Sequence, residues 1–312
     1  MSGRVKSVAV LMGGISVERQ VSLRSGQEVA KALREKGYAV TAIDVPADVA
    51  GLVEALTPKP DAVFNALHGR PGEDGSIQGL LDLLHIPYTH SGLLASALAM
   101  DKPFAKKLFE SAGLRCPEGR VVRREEILAG DVLPRPYVIK PPAEGSSFGV
   151  HLVQAGDNKQ PFANDPWPYG DEVLVERFIP GRELTVAVRG EGDHAQAMGA
   201  IEIRYGTSFF DFKAKYSDGQ AEHVMPPEIH RSAYDELLAM AEGAHRTLGC
   251  RGISRSDFRY DDSKGEPGTL YLLEINTQPG MTPISLVPDI ARSIGVSYAD
   301  LVAGMVEEAR WG

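Results

Sequence analysis

The first hundred residues alternate short apolar runs with amphipathic segments, and this alternation constrains the fold more than any other feature of the chain. Val5–Leu11 is an apolar run that stops at Gly13-Gly14, which predicts a strand followed by a tight turn. Ser22–Lys36 carries Leu23, Ala30 and Leu33 at near-helical spacing. Ser25 and Glu28 have the spacing of a capping box, and Gly37 supplies a C-terminal stop. Tyr38–Val45 and Asp61–Leu67 predict two further strands. Strands separated by helical segments imply an α/β unit, a parallel sheet with helices on its faces. Ligands of such sheets sit beyond the carboxyl ends of the strands, where Gly13–Glu18 and His68–Gly75 both fall.

At 312 residues the chain is long enough for two or three domains. A boundary is expected near Ser91–Lys102, where helical Leu93–Met100 runs into Asp101-Lys102-Pro103. A smaller unit follows to about Arg182, with a helix at Phe104–Ser111, strands at Tyr137–Lys140 and Val173–Phe178, and a Pro-, Asn- and Asp-rich loop at Asp157–Gly170. The third unit is expected to hold strands at Leu184–Val188, Ala197–Ile203, Ser256–Tyr260 and Thr269–Asn276, with helices at Arg231–Leu248 and Tyr298–Glu308. The expected division is 1–96, 97–182 and 183–312, α+β overall.

Charge narrows the function classes. There are 42 acidic residues against 33 basic ones, a net charge of −9. A nucleic-acid partner is therefore not expected, since phosphate-backbone binding draws on a basic surface. A small anionic ligand held by a few placed cations remains open. Cys116 and Cys250 form no CxxC pair, so neither a disulfide nor a zinc framework is expected. The apolar stretch Val8–Met12 is too short for a signal peptide or a membrane span, which need longer apolar cores. The expectation is a soluble cytoplasmic protein with no membrane partner.

Four segments carry candidate chemistry. In Lys140–Val150 a lysine ends a β-type run and is followed by Gly145, Ser146, Ser147 and Gly149, whose backbone N–H groups can approach a phosphate. The same segment also reads as an ordinary hairpin loop with a solvated lysine. In Leu273–Met281, Glu274 and Asn276 share one face of a strand, and Leu273 and Ile275 are expected to face apolar packing. With Asp257 on an earlier strand they form an oxygen set suited to Mg²⁺ shared with phosphates, or else a solvated strand face. His68 in the loop His68–Gly75 is open to a structural or a catalytic role. Lys213–Tyr216, after the aromatic run Phe209–Phe212, reads as a mobile, partly exposed loop.

Taken together and in order, these segments carry a resemblance over essentially the whole chain. The motifs are Gly13-Gly14-x-Ser16-x-Glu18-Arg19-x-Val21-Ser22-x-x-Ser25-Gly26; His68-Gly69-x-x-Gly72-Glu73-Asp74-Gly75; Glu144-Gly145-Ser146-Ser147; and Ser256-Asp257-Phe258 with Leu273-Glu274-Ile275-Asn276-Thr277-x-Pro279-Gly280-Met281-Thr282. The continuation Ser285-Leu286-Val287-Pro288 fits as well. The sequence resembles the D-alanine–D-alanine ligase family of the ATP-grasp superfamily. The resemblance implies an ATP-grasp fold with an N-terminal Rossmann-like domain, and ligation of two D-alanines with ATP through an acyl phosphate and a tetrahedral intermediate. It further implies two Mg²⁺ ions, for which Mn²⁺ can substitute, a peptidoglycan-precursor product and a homodimer.

The resemblance also distributes roles. Lys102, Lys140 and Lys215 match phosphate-contacting lysines, with Lys215 on a loop that closes over the γ-phosphate. Glu144, Ser146 and Ser147 fall in the nucleotide loop. Glu176, Arg177, Phe178 and Ile179 match the hinge that reads adenine, and Glu183 matches the ribose contact. Asp257, Glu274 and Asn276 match metal ligands, Asn276 also lying against the nucleotide. Glu18 matches the partner of a D-alanine ammonium, linked in the family to Ser146 and Tyr216. His68 matches a residue near the first substrate's carboxylate. Arg255 and the Gly280 N–H match the pair that holds the tetrahedral oxyanion, and Ser285 and Leu286 match contacts to the second substrate. Tyr216, where depsipeptide-forming members usually carry Phe, favours the dipeptide. A ligase making D-alanyl-D-lactate or D-alanyl-D-serine, and a nucleotide-binding regulator without turnover, are the alternative readings. A Rossmann dehydrogenase is set aside because no GxGxxG follows the first strand.

Overall fold

The computed structural model describes residues 5–143, 149–156, 162, 167, 169–205 and 221–312. Its first sheet contains β1 (Ser7–Met12), β2 (Ala39–Asp44) and β3 (Ala62–Asn65), all parallel and in the order β2-β1-β3. Helices α1 (Arg19–Glu35) and α2 (Val49–Ala55) connect them, and α3 (Ser76–Leu83) and α4 (Leu93–Met100) follow. The strand β1 is apolar without alternation because both of its faces are covered. Val8 and Val10 pack with Val29 and Leu33 of α1, whereas Ala9 and Leu11 pack with Leu52, Leu81 and Tyr88 on the other side.

The start of α1 corrects an expectation. The helix begins at Arg19 with Glu18 as its N-cap residue, so Ser25 lies inside it and caps nothing. Ser22 and Ser25 are buried and serve the loops beyond the sheet. The Ser22 hydroxyl accepts from Gly13 N–H at 2.8 Å and donates to Ala66 O at 2.8 Å. Gly37 does end the helix, at φ +88°, with its N–H on Arg34 O.

A second sheet is antiparallel, β4 (Gly119–Arg123), β7 (Glu172–Arg177), β5 (Tyr137–Lys140) and β6 (His151–Val153) in that spatial order. Together with α6 (Arg124–Ala129) it encloses Val122, Ile127, Tyr137, Ile139, Val173 and Val175. Of the expected loop Asp157–Gly170, the described residues Phe162, Trp167 and Tyr169 stack edge-to-face against this core, and most of the remainder lies outside the described residues.

The largest sheet contains β8 (Arg182–Arg189), β9 (Gln196–Tyr205), β10 (Ala221–Val224), β11 (Ile253–Asp261) and β12 (Thr269–Asn276), antiparallel in the order β10-β9-β8-β11-β12. One face packs on α4, α5 (Lys102–Ser111) and α7 (Arg231–Thr247) through Leu184, Val186, Phe258, Leu272, Phe109 and Leu237. The other face packs on α8 (Leu286–Ser293), α9 (Tyr298–Glu307) and the edge of the parallel sheet. The sheet is thus buried on both faces.

A β-bulge decides which residues of β12 face the site. Asp257 is opposite Glu274, but Phe258 is opposite Leu272, so Leu273 is the extra residue. Before the bulge Leu270 and Leu272 enter the helix-covered core; after it Ile275 does, and Glu274 and Asn276 come round to the face of Asp257. This corrects the expectation for Leu273, which is half-buried and is replaced in the core by Leu272.

The strands β4, β6 and β10 and the helices α2, α3, α6 and α8 were not expected from the sequence. They are short, and β4 is a largely exposed edge whose alternation is masked by arginines. Pro288 lies in the first turn of α8, where the missing N–H costs no helical bond. Cys116 and Cys250 are both free thiols. Among the described residues no helix is long and apolar enough to cross a membrane.

Candidate active site

The site lies where loops from the parallel sheet meet the edges of the other two. Beyond β1, Gly13 and Gly14 take φ of +76° and +73°. Arg19 clamps this turn: its Nη1 donates to Gly14 O at 3.0 Å, and the guanidinium forks onto Asp44 at 2.6 Å on each arm. The hydrogen bond from Arg19 holds the Asp44 carboxyl below the usual range. Glu18 thereby stands at the entry of α1, its N–H bound to Ser16 Oγ at 3.1 Å.

Beyond β3, the loop that carries His68 closes against the same turn. Gly69 sits at φ +65°, and a Cβ there would lie 2.4 Å from Ser16 Oγ and 3.3 Å from Glu18 Oε2. His68 and Glu18 are therefore brought to one place, as the sequence predicts. His68 is buried between Glu73, whose Oε1 lies 3.1 Å from Nδ1, and Ser25, whose Oγ lies 3.4 Å from Nε2. The imidazole ring is oriented from both nitrogens.

Three lysines gather around two carboxylates on the opposite side. Lys102, at the start of α5, reaches Glu274 Oε2 at 3.2 Å. Asp101 caps this helix by accepting from Phe104 N–H at 3.0 Å, and Lys102 N–H itself is bound to Pro142 O at 2.9 Å. Glu176, at 3% exposure, lies between Lys106 at 2.5 Å and Lys140. Burial opposes the charge on Glu176, but Lys140 and Lys106 outweigh it and hold the carboxyl below its usual range. Burial likewise opposes the charge on Lys140, and Glu176 and Glu274 prevail, keeping the ammonium above its ordinary value. For Glu176 and Lys140 alike, the opposite charge in contact favours the ionised form.

On the shared face of β11 and β12, Arg255 donates through Nε and Nη2 to the two oxygens of Asp257, at 2.9 and 2.8 Å. Thr185 on β8 donates to Asp257 Oδ1 at 2.5 Å. Arg255 is opposite Asn276 in the register, and Asp257 is opposite Glu274. The loop after β12 carries Gly280 against Ser285, whose Oγ would lie 3.2 Å from a Cβ at position 280. Ser285 is the N-cap residue of α8, and its Oγ accepts from Thr282 N–H at 3.1 Å. Leu286 opens the helix and packs on the core beneath.

Known proteins share both the sequence and the fold. The chain matches the family model described as the D-ala D-ala ligase C-terminus over residues 108–307, and the model of the D-ala D-ala ligase N-terminus over residues 47–91. It is 53% identical over 305 residues to a D-alanine–D-alanine ligase of Granulibacter bethesdensis, covering 98% of each chain. To the ligase of that name from Paramagnetospirillum magneticum it is 55% identical over 308 residues, covering 98% of this chain and 99% of the other. The chain belongs to the D-alanine–D-alanine ligase family. A crystal structure of the D-alanine–D-alanine ligase from Bacillus anthracis complexed with ATP superimposes with a TM-score of 0.76 at 30% identity, over 98% of this chain and 97% of that one. The architecture is accordingly the ATP-grasp fold.

Within this ligase fold the segment from Glu176 to Glu183 links the two antiparallel sheets. Arg177 N–H is bound to Glu118 O at 2.8 Å and Phe178 N–H to Pro136 O at 3.2 Å. Arg259 holds the rest, donating to Ile179 O at 3.0 Å and Gly181 O at 2.6 Å with its guanidinium over the Phe178 ring. Glu183 is buried at the start of β8, opposite Arg259. Glu144, Ser146, Ser147, Lys215 and Tyr216 lie outside the described residues.

Among the described residues no cluster of three His, Cys, Asp or Glu side chains forms a ready-made metal cage. The expected set contains two carboxylates and an amide, and oxygen ligands of this kind suit Mg²⁺ when phosphates complete the shell. The register that sets Asp257 opposite Glu274, with Asn276 next on that face, fits such an ion.

Several residues of the candidate site carry little signal in the sequence. Lys106 follows Lys102 by one helical turn, a spacing that could have flagged it. Thr185 and Arg259 touch the site only through strand pairing across more than seventy residues, which leaves no local signal. Ser25, whose spacing to Glu28 predicts a cap, is instead the neighbour of His68.

Proposed function

We propose that this chain condenses two D-alanines to D-alanyl-D-alanine, converting ATP to ADP and phosphate. The observation that carries this reading is the gathering of Lys102, Lys140, Arg255, Asp257, Glu274 and Asn276 around the junction that also holds Glu18 and His68. It is joined to family membership over nearly the full length.

The chemistry asks for charge placed where charge develops. Glu18 takes the ammonium of the first D-alanine, and His68, held by Glu73 and Ser25, lies near its carboxylate. That carboxylate attacks the γ-phosphorus, the bond to ADP breaks, and D-alanyl phosphate results. Lys102 and Lys140 neutralise the phosphates, joined in this reading by Lys215, which falls in sequence between β9 and β10. When bound, Mg²⁺ supplies further neutralisation of the phosphate oxygens, with Asp257, Glu274 and Asn276 as the residues to hold it. The amine of the second D-alanine, its carboxylate near Ser285 and Leu286, then adds to the acyl carbon. Arg255 and the Gly280 N–H hold the oxyanion until phosphate leaves. The hinge Glu176–Ile179 takes the adenine and Glu183 the ribose, with Glu144, Ser146 and Ser147 over the phosphates. In this reading Ser146 and Tyr216 are the residues to join the Glu18 network, and the phenol of Tyr216 favours an amine acceptor.

The same reading includes three units, 1–96, 97–182 and 183–312, with the site at their junction, and a cytoplasmic homodimer that makes a peptidoglycan precursor. Product analysis with ATP, Mg²⁺ and D-alanine tests the central claim. Phosphate release that requires D-alanine, with D-alanyl-D-alanine as product, is expected. Preference for D-lactate or D-serine as acceptor would overturn the assigned product, and no D-alanine-dependent release would overturn the enzymatic reading.

A further inference from the structure

Between the His68 loop and the end of β12 lies a buried cluster of three carboxamides that the proposed chemistry does not use. Asn65 ends β3, Gln78 lies on α3 and Gln278 follows Asn276, and each is at most 1% exposed. Asn65 Nδ2 donates to Gln278 Oε1 at 2.7 Å and to Gly72 O at 3.0 Å. Gln78 Nε2 donates to Gly72 O at 2.8 Å. Gln278 Nε2 donates to Leu67 O, and Leu67 N–H returns to Asn65 Oδ1 at 3.2 Å. Side-chain bonds thus form a closed ring around the backbone on both sides of His68.

The backbone of Gln278 faces the other way. Its N–H donates to Asn276 Oδ1 at 2.7 Å, fixing the amide of an expected nucleotide and metal ligand. One residue therefore reaches the first-substrate loop through its side chain and the ATP side through its main chain, across 213 residues of sequence from Asn65. A buried amide group without a partner costs stability, as at Gln78 Oε1, whereas the bonds that Asn65 and Gln278 make specify one arrangement. An apolar side chain at 278 facing an apolar residue at 65 would fill the space; the amide ring instead fixes orientation.

We propose that Gln278 is a positioning residue that sets the first D-alanine, through the His68 loop, in line with the phosphate end of ATP. The inference rests on the ligase reading above. Gln278→Leu nearly keeps the volume and removes all three side-chain bonds, to Asn65, Gln78 and Leu67, and Asn65→Leu removes the shared bond from the other side. For each, kcat/KM for the first D-alanine should fall about tenfold or more. The ATP dissociation constant, titrated without D-alanine, should stay within about threefold, and the double variant should lose less than the product of the single losses. Circular dichroism identifies a temperature at which the variants remain folded. Gln278→Glu, which still accepts from Asn65 but cannot donate to Leu67 O, should fall between wild type and Gln278→Leu.

An unchanged kcat/KM for D-alanine in either single variant would overturn the proposal, as would equal losses in D-alanine use and ATP affinity. Failure of Gln278→Leu and Asn65→Leu to fold at any assay temperature would also count against it, since a purely structural role predicts that result. Wild-type protein assayed alongside separates the two claims. An active wild type with indifferent variants sinks this inference alone, whereas a wild type that makes no dipeptide removes both.

Discussion

Arg255 and Asp257 lie two residues apart on one face of β11, and the guanidinium engages both carboxylate oxygens in parallel at 2.9 and 2.8 Å. A planar fork on a planar carboxylate is a rigid arrangement, and it holds Arg255 in place before any substrate arrives. Substitution Arg255→Ala should lower kcat by about 10²–10³-fold, the usual loss when an oxyanion donor is removed. ATP affinity should change by no more than a few-fold. Arg255→Lys should recover little, because a point charge cannot reproduce the fork. Steady-state kinetics with a separate nucleotide titration checks both statements.

The charge triad Lys106–Glu176–Lys140 makes a different prediction. Glu176→Gln would leave two buried ammonium groups facing a neutral amide. Breaking a buried pair in this way costs about 3–5 kcal/mol. Denaturant unfolding should show that loss for Glu176→Gln. Lys106→Met should leave Lys140 as the remaining lysine partner of Glu176 and raise KM for ATP more than it lowers kcat.

Gly69 tests the junction between the two N-terminal loops. Its φ of +65° disfavours any Cβ, and the space is filled by Ser16 and Glu18. Gly69→Ala should destabilise the protein by about 1–2 kcal/mol. It should also raise KM for the first D-alanine, because Ser16 or Glu18 must move. Thermal unfolding and D-alanine kinetics on the same preparation give both readouts.

A pH dependence follows from His90. It is buried edge-on against Phe64, and burial pushes its pKa down from 6.5 to about 3. The folded protein keeps this ring neutral, whereas the unfolded chain takes up a proton below 6.5. Its contribution is full above that value and declines as the pH falls toward 3, with a limiting slope of about 1.4 kcal/mol per pH unit. His90→Asn, which tolerates the positive φ at this position, should flatten the slope between pH 6 and 4 by about that amount. Urea midpoints across the range measure it.

The sequence conveyed the parallel sheet because a both-faced strand such as Val8–Leu11 is apolar throughout and its helices carry a period of their own. The long elements of the C-terminal half were legible for the same reason. The start of α1 was not, since Ser25 looks like a cap in one dimension and, like Ser22, is a loop anchor in three. Candidate site residues stood out where a motif surrounds them, as with His68, Asp257 and Glu274. Thr185, Arg259 and Asn65 did not, because their roles exist only through partners dozens to hundreds of residues away. Leu273 was misread because an extra residue in a strand reverses its parity, and no residue type announces it.

That one residue also divides the demands placed on β12. Ahead of it, Leu270 and Leu272 face the helices; behind it Ile275 takes over that packing, and Glu274 and Asn276 turn to the face of Asp257. A strand without the extra residue would send Leu272 and Glu274 to the same face, since residues two apart in a regular strand share one. Here one strand presents leucines to the helices along its first half and turns its candidate ligands to the junction along its second.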